Sequence, residues 1–225
     1  MLSRTLNLFV VAVIFAAAPS SAEVVRIDVQ SRSDLVGGQP FGAAGPYEEL
    51  SGKIFFAVDP SLPANKIVTD IDRAPRNAAG KVEFSSDFYL IKPKNIARGN
   101  GAVLFEVSNR GGKGMLGFFN HASGSTDPGT PAEMGDGFLM KQGFTMLWVG
   151  WQFDPPDRPG LVRVYPPVAL DNGKPIRGLV RSDFVVTERA VTHSLADRGR
   201  AEPDQRRTLR NIDDLVNLRR LELHR

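Results

Sequence analysis

Apolar and polar positions alternate through the first hundred residues, and longer apolar runs replace that pattern afterwards. Residues 82–93 show it best, with Val82, Phe84, Phe88 and Leu90 set against polar neighbours until Pro93 stops the run. Period-two alternation places one face of a strand inward, so a strand is expected there. Residues 23–28 and 52–58 read as two more strands, and residues 66–72 as a further candidate. Between them lie stretches dense in glycine and proline: residues 34–46, then Asp59-Pro60 and Leu62-Pro63. Strand, turn, strand, turn is the signature of an antiparallel lead-in sheet.

The pattern changes at Gly101. Residues 102–107 and 144–151 are short, mostly apolar runs of the kind covered on both faces. A helical stretch ending at residues 138–143 lies between them, with Gly143 placed to close it. The three pieces make a βαβ unit, which packs back on its sheet with a right-handed crossover. Beyond the rigid loop 154–160, residues 161–170 and 176–187 are expected to form a hairpin through Asn172-Gly173, a strong turn pair.

The two ends stand apart from this body. Residues 1–22 have Arg4, a short apolar run and then Ser20-Ser21-Ala22, which is the layout of an export signal cleaved near Ala22. The mature protein is therefore expected in the periplasm or secreted, and with no cysteine it has no lipid anchor at that point. From Asp197 onward lysine and aromatic residues are missing and arginine dominates, with a helix over 208–224 or a disordered tail as the two readings. The domain division is thus 1–22, 23–196 and 197–225. The excess of positive charge lies in the last segment, while residues 23–196 carry equal numbers of acidic and basic side chains. A nucleic-acid partner therefore has no support from the charge of the body.

Candidate chemistry is sparse. Without cysteine there is no disulfide or thiolate site, and His121, His193 and His224 are not at metal-ligand spacings, so neither metal nor cofactor is expected. Gly112-Lys113-Gly114-Met115-Leu116-Gly117 satisfies G-x-G-x-x-G after an expected strand, but the next strand, which should end in an acidic residue about 20 positions later, ends only near Asp154. Gly114 after Lys113 also rules out a phosphate-binding P-loop, which needs a hydroxyl there. A better fit is an oxyanion loop, Asn109-Arg110-Gly111-Gly112, offering the backbone amides of Gly111 and Gly112. The G-x-S-x-G elbow that would supply a serine nucleophile is absent, and Ser123 lacks its context. His193 and His121 remain as candidate bases. Trp148 and Trp151 are expected in core packing rather than in substrate stacking.

Several strings occur together: residues 39–48 (QPFGAAGPYE), 74–80 (APRNAAG), 84–90 (FSSDFYL), Asn109-Arg110-Gly111, and 137–152. Through them the chain resembles the N-terminal part of an exported "alpha/beta hydrolase domain" family, from about residue 24 to about residue 198. The resemblance implies an α/β fold: a β-rich antiparallel segment leading into the first βαβ part of an α/β-hydrolase-like sheet, here incomplete. It also implies serine hydrolysis of small ester-like substrates. Family members are much longer, and the fading of the resemblance near residue 198 leads to the expectation of a truncated or frame-shifted chain that is inactive. The rival expectation is a non-catalytic exported module that binds a carbohydrate, a hydrophobic ligand or another protein. Oligomeric state is left open by the sequence.

Overall fold

The computed structural model describes residues 22–176 and two short paired strands at 193–194 and 208–209. Its centre is a mixed sheet. Strands β1 (Ala22–Asp34), β2 (Pro40–Phe41), β3 (Gly45–Val58), β4 (Val82–Pro93), β5 (Val103–Glu106), β6 (Thr145–Val149) and β7 (Val164–Tyr165) form one seven-stranded sheet. The main order is β1-β3-β4-β6-β5, with β2 added to β3 and β7 to β4. All pairings are antiparallel except β5 with β6. The chain is therefore an antiparallel lead-in followed by one parallel crossover, β-rich and with few helices, and β6 returns between β5 and the older strands.

Three short helices fill the crossover: α1 (Gly114–Asn120), α2 (Pro131–Met134) and α3 (Phe138–Lys141). The single helical stretch read from the sequence is corrected here. Gly124, Thr126, Pro128 and Gly129 interrupt it, and residues with few helical preferences cannot sustain one long rod. Gly143 does close α3, at φ +80° with its N–H on the Met140 carbonyl at 2.9 Å. The core lies between these helices and one face of the sheet. Tyr89 and Ile91 of β4 and Met146 and Trp148 of β6 meet Met115, Leu116, Leu139 and Met140. Tyr47 of β3 reaches through this layer, and its hydroxyl lies 2.9 Å from the Met140 carbonyl and 3.1 Å from that of Phe144. Burial pushes that phenol up to about 12.

Other expectations also change. Residues 66–72 form turns and a 3₁₀ turn at Ile71–Arg73 instead of a strand, since no neighbouring strand takes up their backbone groups. The first strand runs on to Asp34 because β3 offers partners as far as Glu48. The 161–187 hairpin is reduced to β8 (Leu170–Asp171) and β9 (Lys174–Pro175) around Asn172-Gly173, and residues 177–187 lie outside the described residues. Both central turn residues have positive φ, as this tight hairpin requires. Coverage on both faces fails for β5, whose Val103 and Phe105 face solvent. Thr208–Leu209, expected to begin a helix, pairs as a strand with His193–Ser194. The export signal through Ser21 and the remainder of the tail lie outside the described residues. Among the described residues no helix is long and apolar enough to cross a membrane.

Candidate functional site

In a sheet containing parallel strands, ligands are taken at the carboxyl ends of those strands. A cavity of about 310 Å³ lies at the carboxyl end of β5, between the start of α1 and the loop 123–128. Glu106, the last residue of β5, forms its base. Strand alternation turns Leu104 and Glu106 towards the helices. The Glu106 carboxylate accepts from the N–H groups of Gly114 and Met115, both at 2.9 Å, and from Trp148 Nε1 at 2.5 Å. The amides at the start of α1 thus already hold an anion, and the G-x-G-x-x-G string is an internal carboxylate cradle.

Lys113 stands beside it, 6% exposed. Its ammonium donates to the carbonyls of Thr126, at 2.6 Å, and of Gly160, and lies 4.3 Å from the centre of the Tyr89 ring. Three donors therefore meet two carbonyls and a π face. Burial pulls its pKa down to about 8, against the opposing pull of Asp127, Glu106 and Glu49. The Tyr89 hydroxyl lies 2.6 Å from Glu49 and 3.0 Å from the Pro128 carbonyl, and burial with the Glu49 hydrogen bond raises its pKa. Across the cavity, Glu133 accepts from the N–H groups of Gly129 and Thr130 in a capping box over α2. Those amides, together with the Ser125 and Thr130 hydroxyls, hold its pKa down to about 2.

The residues singled out from the sequence are arranged less favourably. Gly111 is buried at φ +75°, and a Cβ there would come within 2.5 Å of the Val162 carbonyl oxygen. Glycine is required at this point by close approach of backbone. Its own carbonyl accepts from Val162 N–H at 3.1 Å, and the Gly112 N–H closes a turn onto Asn109 at 3.3 Å. Arg110, also at positive φ, turns its guanidinium onto Asp154, and its backbone N–H donates to Gln152 Oε1 at 2.6 Å. His121 is exposed at the end of α1, and Ser123 is exposed on the cavity rim. His193 belongs to the separate strand pair opposite Leu209. Trp148 is fully buried in the core, while Trp151 is half exposed and donates to the Ser108 carbonyl. Ser108 itself is buried with no partner for its hydroxyl.

Sequence reasoning missed Glu106 and Lys113 as the chemical centre of this region. A lone acid ending an apolar strand and a lysine between two glycines were the available signals. Among the described residues no group of three or more histidine, aspartate or glutamate side chains could hold a metal ion. A second, open groove of about 390 Å³ lies on the antiparallel part, walled by Phe55 under the Arg26 guanidinium and by Tyr165 under Lys53. Set against protein-family models, curated proteins and solved structures, the chain matches none of them.

Proposed function

We propose that the chain is an exported α/β-hydrolase-like protein of the ester-hydrolase type that does not itself turn substrate over, and that the cavity at the end of β5 is its small-molecule site. The supporting observation is the order of the sheet: an antiparallel lead-in, then a parallel crossover with a cavity at the carboxyl end of its first strand. The loop 109–112 lies at that point, where the hydrolase resemblance puts an oxyanion loop. This is a fold-level analogy, and the chemistry must come from the site. The proposed inactivity rests on the G-x-S-x-G elbow that the sequence lacks, and Ser125 on the cavity rim is hydrogen-bonded to Glu133. Serine attack needs a base within hydrogen-bond reach.

The full chain should show no labelling by a fluorophosphonate probe and no turnover of a short-chain chromogenic ester above buffer. Turnover that disappears in Ser123→Ala would overturn the proposal. The aromatic groove over Phe55 and Tyr165 favours the second reading, a non-catalytic binding module. That reading gains if soluble oligosaccharides shift the backbone resonances of β3 and β7 while esters shift nothing around β5.

A further inference from the structure

The sheet has two outer edges, and they are built differently. Along β1, Arg26, Asp28 and Arg32 are interspersed with apolar residues, and register shifts fall between Val24 and Arg26 and between Val29 and Ser31. Charges and bulges of this kind discourage a further strand from pairing. On the other side, β5 and the residue after it read Val103-Leu104-Phe105-Glu106-Val107, with no lysine, no proline and no bulge. Among the described strands β5 pairs with β6 alone. Val103, Phe105 and Val107 are 60%, 51% and 62% exposed.

The backbone of the same three residues faces outward. Thr145 N–H donates to the Ala102 carbonyl at 3.1 Å. That bond turns the even-numbered residues of β5 towards β6, so the odd-numbered ones present N–H and C=O to the open edge. The apolar row reads valine, phenylalanine, valine about Phe105, and is its own reverse. A two-fold axis at Phe105 would place it opposite its mate, and Val103 opposite Val107 of the second copy. Every such pair is then of the hydrogen-bonded type, and apolar side chain meets apolar side chain on one face.

We propose that β5 pairs antiparallel with β5 of a second copy of this chain about Phe105, joining two sheets into one. The occupant is a second copy because the outward row Val103, Phe105 and Val107 matches itself in both backbone groups and side chains. A ladder this short falls below the roughly 1,200 Å² of a standard interface, so the dimer is concentration-dependent, on the order of micromolar, rather than obligate.

The chain has no cysteine, so a single introduced thiol reports cleanly. Paired Cα atoms in this register lie about 5.5 Å apart, within disulfide range. Phe105→Cys in the full chain should give a covalent dimer under mild oxidation or with a short bismaleimide, and Val29→Cys on β1 should not. Sedimentation equilibrium should show a dimer for the unmodified chain and at least a tenfold weaker one for Phe105→Lys, with circular dichroism and melting unchanged. A monomer at hundreds of micromolar, a dimer that Phe105→Lys leaves intact, or equal cross-linking from both cysteines would overturn the proposal. So would a monomer whose Phe105 amide is protected from hydrogen exchange, since another segment of the same chain would then occupy the edge.

Discussion

In the antiparallel half of the sheet, charged side chains answer one another across strands. Glu48, 2% exposed, takes Arg32 at 2.7 Å and Lys92 at 2.5 Å, and Lys53 meets Asp87 at 2.7 Å. Burial alone would raise the Glu48 pKa, but the two cations outweigh it and hold the carboxylate below its usual range. In the crossover half, the Arg110–Asp154 pair apart, the charges are tied mainly to backbone. Glu106 collects amides and an indole, Lys113 collects carbonyls, and buried Asn120 accepts from the Leu139 N–H at 2.9 Å. The contrast has a structural cause. Long strands satisfy their own backbone through the ladder and leave side chains free to pair. Three short helices joined by loops leave many backbone groups over, and buried side chains must take them up.

If this contrast holds, removing a charge from the crossover half costs more than removing one from the lead-in. The largest effect is expected at Glu106. Glu106→Ala leaves two helix-start amides and the Trp148 indole without an acceptor, and should lower unfolding stability by about 3 kcal/mol, against about 1–2 kcal/mol for Glu106→Gln. Urea unfolding at neutral pH measures both, and equal small losses would break the comparison.

Lys113 gives the next effect, and its signature is pH. Its folded pKa of about 8 lies below the ordinary lysine value of 10.5. Between the two, the unfolded chain binds the proton and the folded chain does not, so stability rises with pH in that window and is lost as pH falls through 8. Measured as the difference from Lys113→Met, the gain should reach about 2 kcal/mol from pH 8 to 9.5. A flat difference would show that Asp127, Glu106 and Glu49 offset the burial of the ammonium in full.

The smallest effect belongs to the lead-in surface. Lys94 pairs with Asp34 at 2.7 Å with both side chains about half exposed. Solvent screening leaves Lys94→Ala within about 0.5 kcal/mol of the unmodified chain in a melting experiment.

Much of the framework was legible in the residues. The limits of β4 match its alternation from Val82 to Pro93, and Asn172-Gly173 forms the turn its dipeptide specifies. Gly143 ends a helix where expected. These features depend on neighbours in the chain, so a local pattern suffices. Residues 66–72 look like a strand by composition and are not one, because a strand also needs a partner and none is supplied there. The local string at Gly111 and Gly112 suggests amides aimed at a substrate. The structure gives Gly111 a packing reason against Val162, a residue about 50 positions away that no local pattern connects to it.

By itself, then, the sequence determined the alternation of strands, the switch to a crossover at Gly101 and the lack of thiol chemistry. Tertiary structure alone decided that Glu106 and buried Lys113 would line one cavity at the end of β5, and that among the described strands β5 would pair on one side only. The physical reason is range. Periodicity and turn chemistry act over a few residues, whereas burial, the shift of a lysine pKa and the exposure of a strand edge depend on segments brought together from distant parts of the chain.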